Sequence, residues 1–155
     1  MSDLLNPLNI FAIAFEVLIK GFFAFSIVRL LAQIKPENRK IQPGLVWLLV
    51  VPGWNLIWNF FVAFRLAESI KKELENRDFD VQGQPTIVLG LIFSLISIST
   101  LFIPVPTAAT TTSSIIYGVA GMAALIVFVQ YWSKISWYRQ LFIKDSEESE
   151  ANNIV

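Results

Sequence analysis

The chain has 155 residues, 55% of them hydrophobic and only 15% charged, with 12 basic and 12 acidic side chains that cancel to no net charge. It has no cysteine and no histidine, which excludes disulfides, thiolate or imidazole metal sites and Cys or His catalysis. Zero net charge offers no basic patch to nucleic acid, and a charged fraction so far below the roughly 25% of an average soluble domain points to a membrane.

The opening, MSDLLNPLNIFAIAF, has no basic residue before Lys20, so it lacks the positive region of a secretory signal. The apolar run 8–34 predicts a first transmembrane helix, because a hydrocarbon core about 30 Å thick takes roughly 20 helical residues to cross. It stops at KPENRK, where Pro36 and a cluster of charges end the run. Inside it, Glu16 and Lys20 stand four residues apart, on one helix face. Each charge at the centre of a span costs about 2.5–3.5 kcal/mol on the insertion scale, so the pair needs company.

The run 41–66 predicts a second span. Pro52 denies the Leu48 carbonyl its helical partner, and Pro52 with Gly53 is expected to kink the helix. Trp47, Trp54, Trp58 and Arg65 fall on one side of such a helix, an aromatic stripe ending in a cation suited to a cation–π contact. The stretch 65–77 continues as a charged helical extension on the cytoplasmic side. Glu68–Lys72, Lys71–Glu75 and Glu73–Arg77 are spaced i,i+4 within it, and Leu66, Ile70 and Leu74 line one side.

From Val81 to Ser133 there is no charged residue, a run of 53. Within it PVPTAATTTSS separates a third span, 86–103, from a fourth, 114–132: the prolines break one helix and the Ser/Thr cluster starts the next. The acidic tail 145–155 reads as disordered. The expected fold class is therefore all-α: a polytopic membrane protein, residues 1–144, with four transmembrane helices as two antiparallel hairpins. Lys and Arg counts put both termini in the cytoplasm and the loop KPENRKIQPG on the opposite side.

If the first two spans run antiparallel about Asn38, Glu16 meets the level of Phe61 and Lys20 that of Ile57, with Asn59 between those levels and Asn55 one turn away. Ser94 and Ser97 of the third span reach a similar depth. These six residues form a candidate intramembrane polar cluster. Such a cluster serves either as hydrogen-bonding glue between helices or as a relay or polar cavity.

The pattern Trp47, Pro52, Asn55, Trp58-Asn59, followed by a charged helical extension, resembles one found in small four-span bacterial integral membrane proteins. The resemblance covers about a quarter of the chain. It implies the four-span layout and a bacterial inner membrane, and carries no activity or site residues. No phosphate loop, zinc motif or nucleophile elbow is present, so no cofactor, metal or catalytic residue is assigned. The expected function is non-enzymatic: a helper or assembly subunit in the lipid bilayer, partnered by another membrane protein or a second copy. The alternative is an oligomeric ion- or proton-coupled transporter or channel subunit using Glu16 and Lys20.

Overall fold

The computed structural model describes residues 7–80, 83–84, 86–99 and 111–152. Four α-helices make up most of it: α1 (Pro7–Ala32), α2 (Trp54–Asn76), α3 (Ile87–Ser99) and α4 (Thr111–Asn152). Two 3₁₀ segments, Pro36–Asn38 and Pro43–Val50, join α1 to α2. No strand occurs among the described residues. The end of the third expected span and the connection before α4, residues 100–110, lie outside the described residues, as do residues 153–155 of the tail.

The run 41–66 is not one helix. Pro43 opens a 3₁₀ segment, and the missing N–H of Pro52 is met by tightening the ladder: the Leu48 carbonyl accepts from Val51 N–H at 3.3 Å. Gly53 then takes a φ of 78°, a left-handed value that costs glycine nothing, and α2 starts in the reverse direction. Trp58 Nε1–H donates to the Leu45 carbonyl at 2.9 Å, and Lys40 N–H to Ser69 Oγ at 2.8 Å. These bonds zip the two arms together. The expected kink at Pro52 and Gly53 is a chain reversal.

This reversal corrects the topology. The expected first hairpin made α1 and the second span antiparallel, but α1 and α2 run in the same direction. Gln33 at the end of α1 meets Arg77 at the end of α2, and Lys35 meets Glu73. α4 runs the same way, with Trp132 donating to Ser26 Oγ at 2.9 Å. α3 returns antiparallel to α4: Gly90 faces Tyr131, and the Phe93 and Phe128 ring centroids are 5.3 Å apart. The loop after α1, expected across the membrane from residues 65–77, lies beside them at one end of the bundle.

Helical spacing builds the core. α1 contributes Phe23, Ala24, Ile27, Leu30 and Leu31, and the turn after it Ile34, all buried. α2 presents one continuous inward face that passes from Asn55 and Asn59 through Val62, Leu66 and Ile70 to Glu73. An aromatic knot of Phe23, Phe93, Phe128, Tyr131 and Trp132 ties α1, α3 and α4. α3 comes close because residue 90 is glycine: a Cβ there would stand 2.7 Å from the Ala63 Cβ.

Polar glue sits at the charged end. Glu73 is fully buried. It accepts from Asn38 Nδ2 at 2.8 Å, Lys35 N–H at 3.1 Å and Arg77 Nε at 2.8 Å. Arg77 reaches further, donating to the carbonyls of Gln33 and Phe142, to Asp145 Oδ2 at 2.7 Å and to Ser146 Oγ at 3.1 Å. Its guanidinium also lies 4.9 Å from the Phe142 ring centroid. These contacts hold α4 as helix through Asn152, and residues 145–152, expected disordered, are helical.

Burial alone pushes the Glu73 carboxyl up, but the hydrogen bonds from Asn38, Arg77 and Lys35 and the Arg77 charge outweigh it and hold it below its ordinary value. A depressed carboxylate pKa contributes stability that is present above the unfolded value, near pH 4.5, and lost as pH falls through the folded value. Thermal unfolding in detergent across pH 3 to 7 is therefore expected to show a fall in midpoint below about pH 4.5, and the Glu73→Gln protein a shallower one. Equal slopes in the two proteins would contradict this role.

Candidate functional site

A cavity of about 270 Å³ opens in the other half of the bundle. α1 supplies Glu16 and Lys20, α2 supplies Asn55 and Asn59, α3 supplies Ser97, and α4 supplies Ala124. Phe23, Phe93 and Phe128 line it too, so it rests on the aromatic knot. Five of the six residues of the sequence-derived cluster thus face one hollow. Ser94 does not: it is fully buried and donates to the Gly90 carbonyl at 2.7 Å.

The elements explain the placement. Glu16 and Lys20 share a face of α1 and form an ion pair, with Glu16 at the open rim (61% exposed) and Lys20 further in (27%). Asn55 and Asn59 occupy the inward stripe of α2, one turn apart, just after the Gly53 reversal. The irregular backbone of residues 51–53 therefore adjoins the hollow. Ser97 donates to the Phe93 carbonyl at 2.8 Å within its own helix.

Interhelical glue would have these side chains bonded to one another across helices. Asn55 and Asn59 are instead only 5% and 9% exposed, and neither amide has a side-chain hydrogen-bond partner among the described residues. Each carboxamide carries two donors and an acceptor, and neither belongs to the buried polar side-chain atoms without a partner, which among the described residues are those of Thr86, Tyr131 and Arg139. Their free atoms face the cavity, where water or a solute would satisfy them. Waters at about 30 Å³ each would fit several at a time. Among the described residues no three acidic side chains converge in a way that could hold a metal ion.

The aromatic stripe comes apart. Trp47 is on the 3₁₀ arm, and Trp54 and Trp58 are on α2, so no single helix carries all three. Trp47 and Trp54 are exposed, and Trp58 stacks on Phe61 with centroids 4.6 Å apart. Arg65 lies over Phe61 at 5.5 Å rather than over a tryptophan, and pairs with Glu68 at 3.1 Å. Sequence reasoning missed the polar centre at Glu73, Arg77, Asn38 and Asp145. The available signal was that Glu73 falls on the same helical face as Leu66 and Ile70.

Compared with protein-family models, curated proteins and solved structures, the chain gives no match.

An amide that faces the cavity and is satisfied there by water adds little net stability through its hydrogen bonds. Asn59→Leu is therefore expected to shift stability by less than about 1 kcal/mol, read as a thermal midpoint in detergent close to that of the unchanged protein. A drop of about 2 kcal/mol or more would mean that the amide binds a neighbouring helix.

Proposed function

We propose that this is a non-enzymatic integral membrane protein that handles a small polar solute in a cavity within the bilayer. Its exposed apolar surface supports the membrane setting. One helix among the described residues, Gly118–Asn152, is long and apolar enough to cross, and only 11% of its most apolar window is buried. Val119, Met122 and Leu125 on α4, and Phe11, Phe15 and Phe22 on α1, are all exposed. Soluble monomers rarely carry a continuous apolar belt on this scale.

In this reading α1 and α4 cross the bilayer, the 13 residues of α3 run into it from the charged end, and the hairpin of the 3₁₀ segment and α2 dips in from the same end and returns. The loop Lys35–Lys40, Lys71, Lys72 and Arg77, and Arg139 and Lys144 of α4 gather at that end. The positive-inside rule makes it cytoplasmic, in keeping with a bacterial inner membrane. The Pro7 end of α1 then faces the opposite side from the Asn152 end of α4, in place of the shared cytoplasmic side expected for four spans.

The observation that carries the solute reading is the pair of amides, Asn55 and Asn59, that lines one hollow with Glu16 and Lys20. Ser97 is ten residues into α3, on the order of 15 Å from its start. Irregular backbone such as residues 51–53 is tolerated at that depth when buried or lining a hydrated cavity, and broken helices often mark solute sites. The ion- or proton-coupled transport expected as the alternative would use the same hollow through Glu16 and Lys20. The assembly-subunit reading keeps a specific support too: the outward face of α4 is uncovered, and a second copy or another membrane protein would cover it.

The chain has no cysteine, so single thiols can be placed at will. In proteoliposomes a water-soluble maleimide is expected to label Ala124→Cys, whose side chain lines the cavity, and to spare its lipid-facing neighbour Leu125→Cys. Equal protection of both would mean a dry cavity and would remove the solute reading.

A further inference from the structure

We propose that the cavity takes a small zwitterion, a molecule carrying one ammonium and one anionic group. This deepens the solute reading above and rests on it.

The charges set the class. Among the described residues the only ionic groups at the cavity are Glu16 and Lys20, and they cancel. In a low-dielectric site an unbalanced charge is expensive, so a net-neutral site favours a net-neutral guest. Each partner of the pair also keeps capacity. Lys20 has three protons, and the Glu16 contact engages one carboxylate oxygen, Oε1. A guest ammonium can therefore approach Glu16 while its anionic group approaches Lys20, with the existing pair loosened or bridged and no net charge added. The i,i+4 spacing holds the two ionic groups about one helical turn apart along α1, which orients a dipolar molecule along the helix.

The amides set the fit. Asn55 and Asn59 bring donors and acceptors to the opposite wall, on α2, and no side-chain hydrogen bond among the described residues uses them. They suit the carboxylate oxygens or a further polar group of the guest. Phe23, Phe93 and Phe128 leave room for an aliphatic stem against their rings. The volume, about 270 Å³, is below the range of drug-sized sites and suits a guest of amino-acid size. A simple cation would face Lys20, and a simple anion would face Glu16.

The test uses the Ala124→Cys protein in nanodiscs, with maleimide labelling as the readout and glycine, γ-aminobutyrate and glutamine as probes. At ten times its dissociation constant a bound guest leaves about one site in eleven free. At least one probe is therefore expected to slow labelling about tenfold, saturably. Acetamide, sodium acetate and methylammonium chloride at equal concentration are expected to leave the rate unchanged. Adding Glu16→Gln and Lys20→Met together should abolish protection while labelling itself persists. The zwitterion assignment is overturned if no probe protects, if acetamide or either salt protects as well, or if protection survives the double substitution. Labelling without protection would leave the hydrated cavity standing and remove only the zwitterion, so the two claims fail separately.

Discussion

One buried carboxylate organises this molecule. Glu73 has no exposure, and a charge removed from water persists only when paired and fully hydrogen-bonded. Its partners come from the loop after α1, the first 3₁₀ turn and Arg77, the residue that caps α2. Through Arg77 the same network takes in the end of α1 and the last turns of α4. The ends of three helices are thereby fixed at one place. They must run the same way, and the chain between α1 and α2 must travel back along the bundle before α2 can begin. The 3₁₀ arm does that, and Pro52 and Gly53 end it. Above the clamp the helices are joined by apolar packing and the aromatic knot. Beyond the knot, α1, α2, α3 and α4 leave a hollow between them.

A mistaken topology still set Glu16 and Lys20 near Asn55 and Asn59, and the register explains why. Antiparallel pairing about Asn38 sets Glu16 and Lys20 level with Phe61 and Ile57. The actual parallel register separates partners at the charged end by 38 to 44 residues. Carried up α1, that offset sets Glu16 and Lys20 level with Asn55 and Asn59. The two registers cross near the middle of α1, so depth alone could not distinguish them. Direction could be told only from contacts near the helix ends, such as Gln33 with Arg77.

Hydrophobic periodicity and span length made the helices legible, including the run of α2 past Arg65 to Asn76. The six polar residues were legible because each breaks an apolar run. What they do was not. Whether Asn59 bonds a neighbour or faces a hollow depends on packing distances that composition does not carry. The chain reversal was half legible: Pro52 announced a broken ladder, but only the Gly53 dihedral and the bond from Trp58 to Leu45 distinguish a kink from a return. The Glu73–Arg77 pair was visible as an i,i+4 spacing, the same signal given by solvated pairs such as Lys71–Glu75. Its burial comes from Asn38, Phe142 and Asp145, residues distant in sequence. The helical tail after Lys144 was hidden for the same reason, since its support is Arg77, 68 residues away from Asp145.

The central claim is that residues 43–64 form a returning hairpin, which brings the loop after α1 beside the far end of α2. Spin labels at Glu37→Cys and Lys72→Cys, both exposed positions, measure it directly by double electron–electron resonance in nanodiscs. The returning hairpin predicts a separation much shorter than the roughly 30 Å of the hydrocarbon core. A separation of about 30 Å or more would mean that the second segment crosses the membrane as one helix, and would contradict the account.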